Sequence, residues 1–164
     1  MNQTVETVFP DIAIPSPTYS VAQAPDKDIY IGTESNGLYI YSENWKLKKH
    51  VPIDGIIATI LPDNNGDIWL GLDETGICLF NKNKQTFTWL HKDNTNLNNN
   101  SIRTFVSYGD SSILVGTFRG LNILNKKELT ITPANINIAG KGGLSHYSIH
   151  SMLIDKDQTL WIGT

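Results

Sequence analysis

The sequence predicts an all-β fold made of β-propeller blades, each of them a four-stranded antiparallel meander. The first observation behind this prediction is a repeat. A large apolar residue stands two positions before a glycine four times, at intervals of 39, 45 and 47 residues, and repeats of this length are typical of four-stranded propeller blades. The second observation is that short runs rich in Ile, Val, Trp, Tyr and Thr alternate with turn residues, which favours strands over helices. The repeated apolar positions are Tyr30, Trp69, Leu114 and Trp161.

Each repeat unit is predicted to contain four short strands. The first begins with an aliphatic residue and has Thr or Ser two positions later, the second contains the repeated glycine, the third follows a glycine turn, and the fourth is the least regular. In the first unit, a compressed "APDKD" turn leaves the position of the first strand open by two residues. The other first strands are predicted at 57–61, 102–106 and 149–153, second strands at 29–32, 68–71, 113–116 and 160–163, third strands at 38–41, 77–80 and 121–124, and fourth strands at 45–51, 86–90 and 128–132.

A four-stranded sheet cannot bury both of its faces alone, so the units are expected to stack on one another. The long unit and the meander favour radial stacking into a propeller over a linear solenoid or an ordinary β-sandwich. The repeated glycines, Gly32, Gly71, Gly116 and Gly163, are expected where neighbouring sheets approach closely. We divide the chain into an N-terminal segment, 1–17, and repeat units at about 18–53, 54–96, 97–143 and 144–164, the last incomplete.

The repeat units amount to about 3.5 blades, a partial or half propeller, whereas propellers close with about 4–8 blades. The default interpretation is a segment of a longer chain whose other blades lie beyond Thr164. Alternatively, residues 1–15 supply outer strands to the half blade. Within one chain this gives a four-bladed ring, and across two chains it gives seven or eight blades. If the protein is soluble as given, we expect a dimer, because open sheets expose apolar faces and unpaired edges.

Composition excludes several classes of protein. The 164 residues carry a net charge of −3, and the 13 basic residues form no nucleic-acid footprint. Their one cluster, Lys46, Lys48 and Lys49, is interpreted as a solvated strand face. The single cysteine, Cys78, is expected to be a buried free thiol. No run approaches the ~20 apolar residues of a membrane helix, and the N-terminus lacks the pattern of a signal peptide.

One rim of the propeller is predicted to carry the ligand-binding residues. In an up-and-down meander, the loops that lead into the first strands lie at the same end as the glycine turns between second and third strands. Polar and aromatic side chains from both sets converge there, and such side chains suit a carbohydrate or another polar ligand. A local role of the asparagines in turns is the alternative. The predicted rim residues are Asp73, Glu74, Asn99, Asn100, Arg103, Phe118, Arg119, His146, Tyr147 and His150.

The sequence predicts no catalytic residue, no metal site and no cofactor. His146 and His150 are four residues apart, which in a strand separates them by roughly 13 Å, and no cysteine or acidic partner lies nearby. Ser148 and His150 suggest a nucleophile and a base, but no glycine elbow or orienting acid accompanies them. The "GKGG" segment at 140–143 lacks the spacing of a phosphate-binding loop and is interpreted as a flexible loop.

Two segments resemble the two-component regulator propeller repeat: "IHSMLIDKDQTLWIGT" at 149–164 and the longer stretch at 56–90. The pattern of that family is an aliphatic-x-Ser/Thr start, an Asp-rich turn, an "LWIGT" strand, a glycine turn and an aromatic-rich strand pair. The polar lead-ins at 97–105 and 144–152 also match, and the resemblance covers roughly residues 18–164. Leu114 departs from the pattern, since it replaces the aromatic residue in the third unit.

The resemblance implies a non-enzymatic sensor domain. Such propellers form the periplasmic, ligand-detecting part of membrane-spanning sensor kinases, including hybrid two-component systems that respond to oligosaccharides. The implied partners are an oligosaccharide or another polar small ligand, and kinase or regulator parts of a longer parent protein. We expect a periplasmic location if the chain belongs to a membrane sensor and a cytoplasmic one otherwise. A propeller enzyme of the lyase or glycan-degrading type and a protein–protein interaction scaffold are the alternatives.

Overall fold

The computed structural model describes residues 13–134, 144 and 146–164, and all regular structure in this part of the chain is β-strand. The strands form three four-stranded sheets and one two-stranded sheet, and every pairing is antiparallel between strands consecutive in the chain. The all-β propeller-blade prediction is thereby confirmed. The predicted blade-completing strands at 1–15 lie outside the described residues except for 13–15, and the 140–143 loop lies wholly outside them.

Each sheet is one blade, numbered along the chain. Blade 1 consists of β1 (Thr18–Gln23), β2 (Ile29–Thr33), β3 (Leu38–Tyr41) and β4 (Leu47–Val51). Blade 2 consists of β5 (Ile57–Pro62), β6 (Asp67–Leu72), β7 (Gly76–Asn81) and β8 (Thr86–Leu90). Blade 3 consists of β9 (Ile102–Tyr108), β10 (Ser112–Thr117), β11 (Gly120–Asn125) and β12 (Ile131–Pro133). Blade 4 is described as two strands, β13 (Ser151–Ile154) and β14 (Leu160–Gly163).

Three strands begin later than the sequence predicts. The fourth strand of blade 1 begins at Leu47, two residues after the predicted start at 45. The fourth strand of blade 3 begins only at Ile131, because Asn125 Oδ1 accepts the backbone N–H groups of Lys127 and Glu128 and Leu129 adopts a φ of 54°. These contacts extend the turn and shorten the strand. The first strand of blade 4 begins at Ser151, two residues later than predicted.

The blades pack side by side with their first strands innermost. β1 contacts β5, β5 contacts β9, and β9 contacts β13. Each interface has its own apolar core, formed by two consecutive sheets. We call the face of a sheet that packs on the next blade in the chain its forward face, and the face that packs on the preceding blade its backward face. Trp69 of blade 2, for example, packs with Ile102, Phe105 and Val115 of blade 3. Burial of these faces removes from water the surface that a lone sheet would expose, which is why the repeat stacks.

The repeated glycines let neighbouring blades approach. A Cβ on Gly71 would lie 2.5 Å from Ile102 Cγ2, and one on Gly32 would lie 2.6 Å from Ile57 Cγ2. Gly116 meets Ile149 of blade 4 in the same way, at 2.7 Å. These distances are far inside van der Waals contact, so only glycine fits. The expected close approach therefore holds at three of the four positions. Gly163 meets only Ser151 of its own blade.

Ion pairs join the blades at the end that carries the turns between first and second strands, which we call the opposite rim. Lys82 of blade 2 contacts Asp26 and Asp28 of blade 1, and Lys126 of blade 3 pairs with Asp63 of blade 2 at 2.9 Å. The hydrogen bond from Lys82 holds the pKa of Asp26 below its ordinary value. Lys48 does not only face solvent, because its ammonium group lies 2.6 Å from the buried Asp28 carboxylate.

Cys78 lies on the backward face of blade 2, in the core shared with blade 1. Its thiol is fully buried and free, as the sequence predicts. Burial raises the pKa of this thiol to about 12, so it stays protonated at neutral pH. The residue acts as a small apolar side chain of the core.

Candidate ligand-binding rim

The lead-in loops and the glycine turns meet at the end of the blades opposite to these ion pairs, and we call this end the site rim. In each complete blade, the residue after the second strand donates its backbone N–H to the carbonyl group of the residue before the first strand. These bonds join Glu34 to Pro17 at 2.9 Å, Asp73 to Ile56 at 3.0 Å and Phe118 to Ser101 at 3.3 Å. They hold the side chains of both segments at one end of the sheet.

A β-bulge recurs in the first strand of each complete blade, near the site rim. The register of the first strand against the second shifts by one residue there, which leaves one residue unpaired. In blade 4, His150 precedes Ser151, the partner of Gly163, and so holds the matching position. The bulge re-aims one side chain per blade at the rim of the innermost strand. These residues are Tyr19, Ala58, Arg103 and His150.

Four predicted rim residues form a continuous cluster across blades 2, 3 and 4. Arg103 Nη1 lies 3.6 Å from Asp73 Oδ2 of the preceding blade, and its guanidinium carbon lies 4.5 Å from the centroid of the Phe118 ring. The Phe118 ring in turn meets the His150 imidazole edge-on, with centroids 6.3 Å apart and an interplanar angle of 88°. We call Asp73, Arg103, Phe118 and His150 the rim cluster.

The polar groups of the rim cluster make few hydrogen bonds within the described part of the protein. Arg103 has five N–H donors. In the described part of the chain, its guanidinium group approaches Asp73 at 3.6 Å and lies over the Phe118 ring, and neither contact is a hydrogen bond. Asp73 Oδ1 is buried and has no hydrogen-bond partner among the described residues. Phe118 is 40% exposed, and His150 is exposed as well. The cluster thus combines a cation, an acceptor and two rings on one surface.

Two predicted rim residues of the lead-in loop, Asn99 and Asn100, make local hydrogen bonds. Asn99 Oδ1 accepts the N–H of Ser101, and Asn100 Oδ1 accepts the N–H of Lys92. The backbone carbonyl of Asn100 also accepts the N–H of Gly76 in the preceding blade, at 2.8 Å. These amides shape the loop and attach it to blade 2. Neither side chain contacts the rim cluster in the described structure.

The other predicted residues lie on the site rim but outside the rim cluster. Glu74 and Arg119 use their backbone N–H groups to hold the turns, through Ser101 Oγ and Thr117 Oγ1. His146 Nδ1 accepts the N–H of Ser148 at 3.1 Å, and Tyr147 is largely exposed beside it. Tyr147 therefore offers an exposed aromatic ring three residues before His150. The local bonds of Glu74 and Arg119 involve only their backbones, whereas His146 uses its side-chain Nδ1 atom.

Sequence reasoning overlooked two features of the rim. Tyr19 holds the bulge position in blade 1, but the uncertain start of that first strand hid its equivalence with Arg103 and His150. Asn98, which is half-buried, and Asn122, which is fully buried, form a polar pair beneath the loop, with Asn122 Nδ2 donating to Asn98 Oδ1 at 2.8 Å. An asparagine inside an otherwise apolar third strand was the available signal for this pair.

The geometry gives little support to catalysis. Ser148 Oγ lies 3.4 Å from His150 Nε2, near the limit of a hydrogen bond, and in the described residues no carboxylate contacts this imidazole. An acyl-transfer triad needs such an orienting acid. Across residues 13–134, 144 and 146–164, no group of three His, Cys, Asp or Glu side chains could hold a metal ion. The described part also contains no helix with the length and hydropathy of a membrane span.

The fold and its repeated interfaces define a segment of a β-propeller. Residues 143–164 match the two component regulator propeller family. This match covers the fourth repeat unit, and it confirms the resemblance to that family recognised from the sequence. No curated protein matches the chain in sequence.

Solved structures with this fold include bacterial signalling proteins. The extracellular domain of the hybrid two component system BT3049 from B. thetaiotaomicron is 29% identical, with a TM-score of 0.66, over 90% of this chain and 19% of that one. The extracellular domain of the hybrid two component system BT4673 from the same organism is 21% identical, with a TM-score of 0.73, over 89% of this chain and 19% of that one.

A third structure with this fold is PorZ, a surface component of the type-IX secretion system of Porphyromonas gingivalis. It is 19% identical, with a TM-score of 0.66, over 88% of this chain and 23% of that one. This chain thus spans about a fifth of the length of each of the three proteins. At identities below 25%, BT4673 and PorZ show the fold alone.

Proposed function

We propose that the chain is a non-enzymatic, ligand-binding propeller module of a two-component signalling protein. It binds a polar small molecule, an oligosaccharide in the first instance, on the site rim. The observation that carries this proposal is the rim cluster, which links Asp73, Arg103, Phe118 and His150 across three blades. The likeness to the extracellular domain of BT3049 supports the sensor role.

The chemistry of the rim cluster suits a sugar. Sugar rings present apolar C–H faces that stack on aromatic side chains such as Phe118 and Tyr147, and hydroxyl groups that pair with charged donors and acceptors. The unused N–H donors of Arg103 and the Oδ2 atom of Asp73 provide both hydrogen-bonding roles, whereas Asp73 Oδ1 is buried. Because the cluster spans three blades, a ligand bound there would also link them, which gives ligand binding a route to the rigidity of the whole array.

A panel of neutral and acidic oligosaccharides, screened by thermal shift, tests this function. We expect at least one sugar to raise Tm in the parent protein, because a ligand that binds the native state stabilises it by mass action. Arg103→Gln should abolish the shift, whereas Lys127→Gln, an exposed cation on the opposite rim, should keep it. An equal shift in both variants would place the site elsewhere.

The same sugars should be recovered unchanged after prolonged incubation. The alternative of a propeller enzyme has one observation in its favour, the 3.4 Å approach of Ser148 to His150. Product release that His150→Ala abolishes would identify an enzyme and contradict the sensor proposal. A protein scaffold would instead show neither a shift nor turnover with any sugar.

The cellular setting is proposed by likeness. The similar structure from BT3049 is the extracellular domain of a hybrid two component system. This likeness supports a periplasmic location for the present chain, and kinase or regulator parts elsewhere in its parent protein. Three apolar side chains on blades 1 and 4 are exposed: Val21, Leu153 and Trp161. Exposed apolar surface of this kind marks sites where another protein segment binds and buries it. Self-association is one way to cover them, and gel filtration at several dilutions tests it.

A further inference from the structure

The forward face of blade 4 carries the same residue types that form the interface between blades 2 and 3. In the described structure, no further blade covers them. Trp69 on the forward face of blade 2 is 1% exposed, because it packs against Ile102 and Phe105 of blade 3. Trp161 holds the same position in blade 4, two residues before the repeated glycine, and is 60% exposed.

The residues around Trp161 also differ in exposure from their equivalents in blade 2. Leu61 pairs with Trp69 across blade 2 and packs into the core shared with blade 3. Leu153 pairs with Trp161 in the same register and is 61% exposed. Beside them, Gly71 sits against the side chain of Ile102, whereas the space over Gly163 holds only atoms of Ser151 in its own blade.

An acidic residue completes this surface and points to the charge of its partner. Asp63 of blade 2 pairs with Lys126 of blade 3 at 2.9 Å, and both side chains are largely buried. Asp155 holds the matching position in blade 4, two residues after Leu153 as Asp63 is two after Leu61. Asp155 Oδ2 instead accepts the indole N–H of Trp161 at 2.7 Å. In blade 2 the indole N–H of Trp69 makes no such bond with the described residues.

We propose that Leu153, Asp155, Trp161 and Gly163 form a docking surface for a further blade of this repeat. That blade has an isoleucine at the start of its first strand, as Ile102 is in blade 3, and a lysine in its third-to-fourth turn, as Lys126 is. When it docks, Asp155 exchanges the indole of Trp161 for the lysine, and Trp161 becomes buried against the isoleucine strand. The interface of blades 2 and 3 is the template for this arrangement.

Blade 1 of a second copy does not match these requirements. The position of Ile102 is held in blade 1 by Thr18, which pairs with Thr33 as Ile102 pairs with Thr117. The position of Lys126 is held by Glu43, which lies five residues after Leu38, the partner of Gly32, as Lys126 lies five residues after Leu121, the partner of Gly116. Docking of blade 1 would therefore bring towards Asp155 a carboxylate that already pairs with Lys27 at 3.1 Å, in place of the ammonium group of Lys126. The attraction that Lys126 gives Asp63 would be absent, and the two carboxylates would repel. The proposal is independent of the ligand proposed for the site rim.

The test is an extended protein in which a copy of residues 73–134 follows Thr164, since Thr164 corresponds to Leu72. The addition completes blade 4 and supplies a copy of blade 3. Trp161 is monitored as the fluorescence difference between each protein and its Trp161→Phe variant. We expect iodide quenching of Trp161 to fall several-fold and its emission to move to shorter wavelength. Quenching equal to that of the parent protein would overturn the proposal.

Two further measurements serve as controls for this test. Lys126→Glu in the added copy alone should restore much of the quenching, while Lys127→Glu in that copy should not, and equal behaviour of the two would contradict the lysine assignment. The parent protein is also sized by sedimentation. A dimer in which Trp161 is protected, and which Trp161→Asp dissociates, would show that a second copy is the occupant and would overturn the proposal even if the extended protein did not fold.

Discussion

At the residue scale, the strongest constraint in the fold is the contact between a glycine of one blade and an isoleucine of the next. Gly32, Gly71 and Gly116 each lack a side chain where Ile57, Ile102 and Ile149 press on the backbone. All three isoleucines are fully buried. One pair of small and large residues therefore sets the spacing of every described interface between neighbouring blades.

Gly71→Ala is expected to lower the free energy of unfolding by about 1–3 kcal/mol, the range for overpacking a well-packed core. Its Cβ would stand 2.5 Å from both Ile102 and Thr59. Chemical denaturation measures the loss. Gly163→Ala is the matched control, because its closest neighbour is the Ser151 hydroxyl of its own blade, which can rotate away. Equal losses in the two variants would contradict the role of the blade contact.

The rim cluster shows how far single residues were predictable. The matching places of Arg103 and His150 follow from counting along first strands, and Asp73 and Phe118 follow from counting along the turns. Their mutual contacts do not follow, because they depend on the angle between neighbouring blades, which no repeat spacing encodes. The asparagines were ambiguous for a different reason: the same side chain serves a ligand or a turn equally well.

At the scale of elements, the lead-in loop between blades 2 and 3 is fixed by the polar pair of Asn98 and Asn122. Asn98 Oδ1 accepts from both Thr117 Oγ1 and Asn122 Nδ2, each at 2.8 Å, and Asn98 N donates to Asn122 Oδ1. Asn98 Nδ2 also donates to the Arg119 carbonyl. The loop, the second strand and the third strand of blade 3 thus share one hydrogen-bond network beneath the rim cluster.

Asn98→Ala is expected to destabilise the protein by about 1–3 kcal/mol, the cost of leaving buried polar partners without a hydrogen bond. Asn122 and Thr117 are both fully buried, so water cannot replace the lost amide. Urea denaturation measures the change. The control is Asn96→Ala, an exposed asparagine two residues away, for which a change within about 0.5 kcal/mol is expected. A similar loss at Asn96 would show that the loop is sensitive for another reason.

The sequence predicted the positions of those strands whose bounds depend only on the residues within the strand and in its flanking turns. The second and third strands follow from β-branched and aromatic runs bounded by glycine turns, and the positive φ values of Gly37 and Gly66 explain why those turns need glycine. The fourth strand of blade 3 was placed too early because the Asn125 side chain extends the preceding turn. Side-chain capping of this kind competes with strand propensity and leaves little mark on an apolar pattern.

At the scale of the whole molecule, the blades are joined by apolar cores along their faces and by ion pairs at the opposite rim. The pairs of Lys82 with Asp26 and of Lys126 with Asp63 both run from a later blade back to an earlier one. The blade architecture could be predicted from the sequence because the same strand pattern occurs four times along the chain. The end faces were not, since their exposure depends on which blades are neighbours.

Acidification should weaken the junction of blades 1 and 2. The pKa of Asp26 is lowered in the folded protein by the hydrogen bond from Lys82. Its contribution to stability is therefore present above the ordinary pKa of 3.8 and is lost as pH falls through the lower, folded-state value. We expect Asp26→Asn to reduce the difference in urea midpoint between about pH 6 and about pH 3.

The effect of Asp26→Asn should be small, within about 1 kcal/mol, because the Asp26 side chain is half exposed and its ion pair is screened by solvent. Asp110→Asn, at an exposed aspartate of blade 3, is the control and should leave the pH dependence unchanged. If the two variants behave alike, the Lys82 pair does not contribute to acid stability.

The repeated interface also gives the array a direction. A forward face with its glycine, aromatic residue and aspartate meets a backward face with its isoleucine and lysine, and the two faces are unlike. Head-to-tail contacts of unlike faces close into a ring only when the rotation per unit allows it, and otherwise they grow without limit. Glu43 and Thr18 of blade 1 therefore disfavour the docking of blade 1 of one copy on blade 4 of another. Replacing them with lysine and isoleucine is expected to promote head-to-tail association of the 164-residue protein, detectable by light scattering.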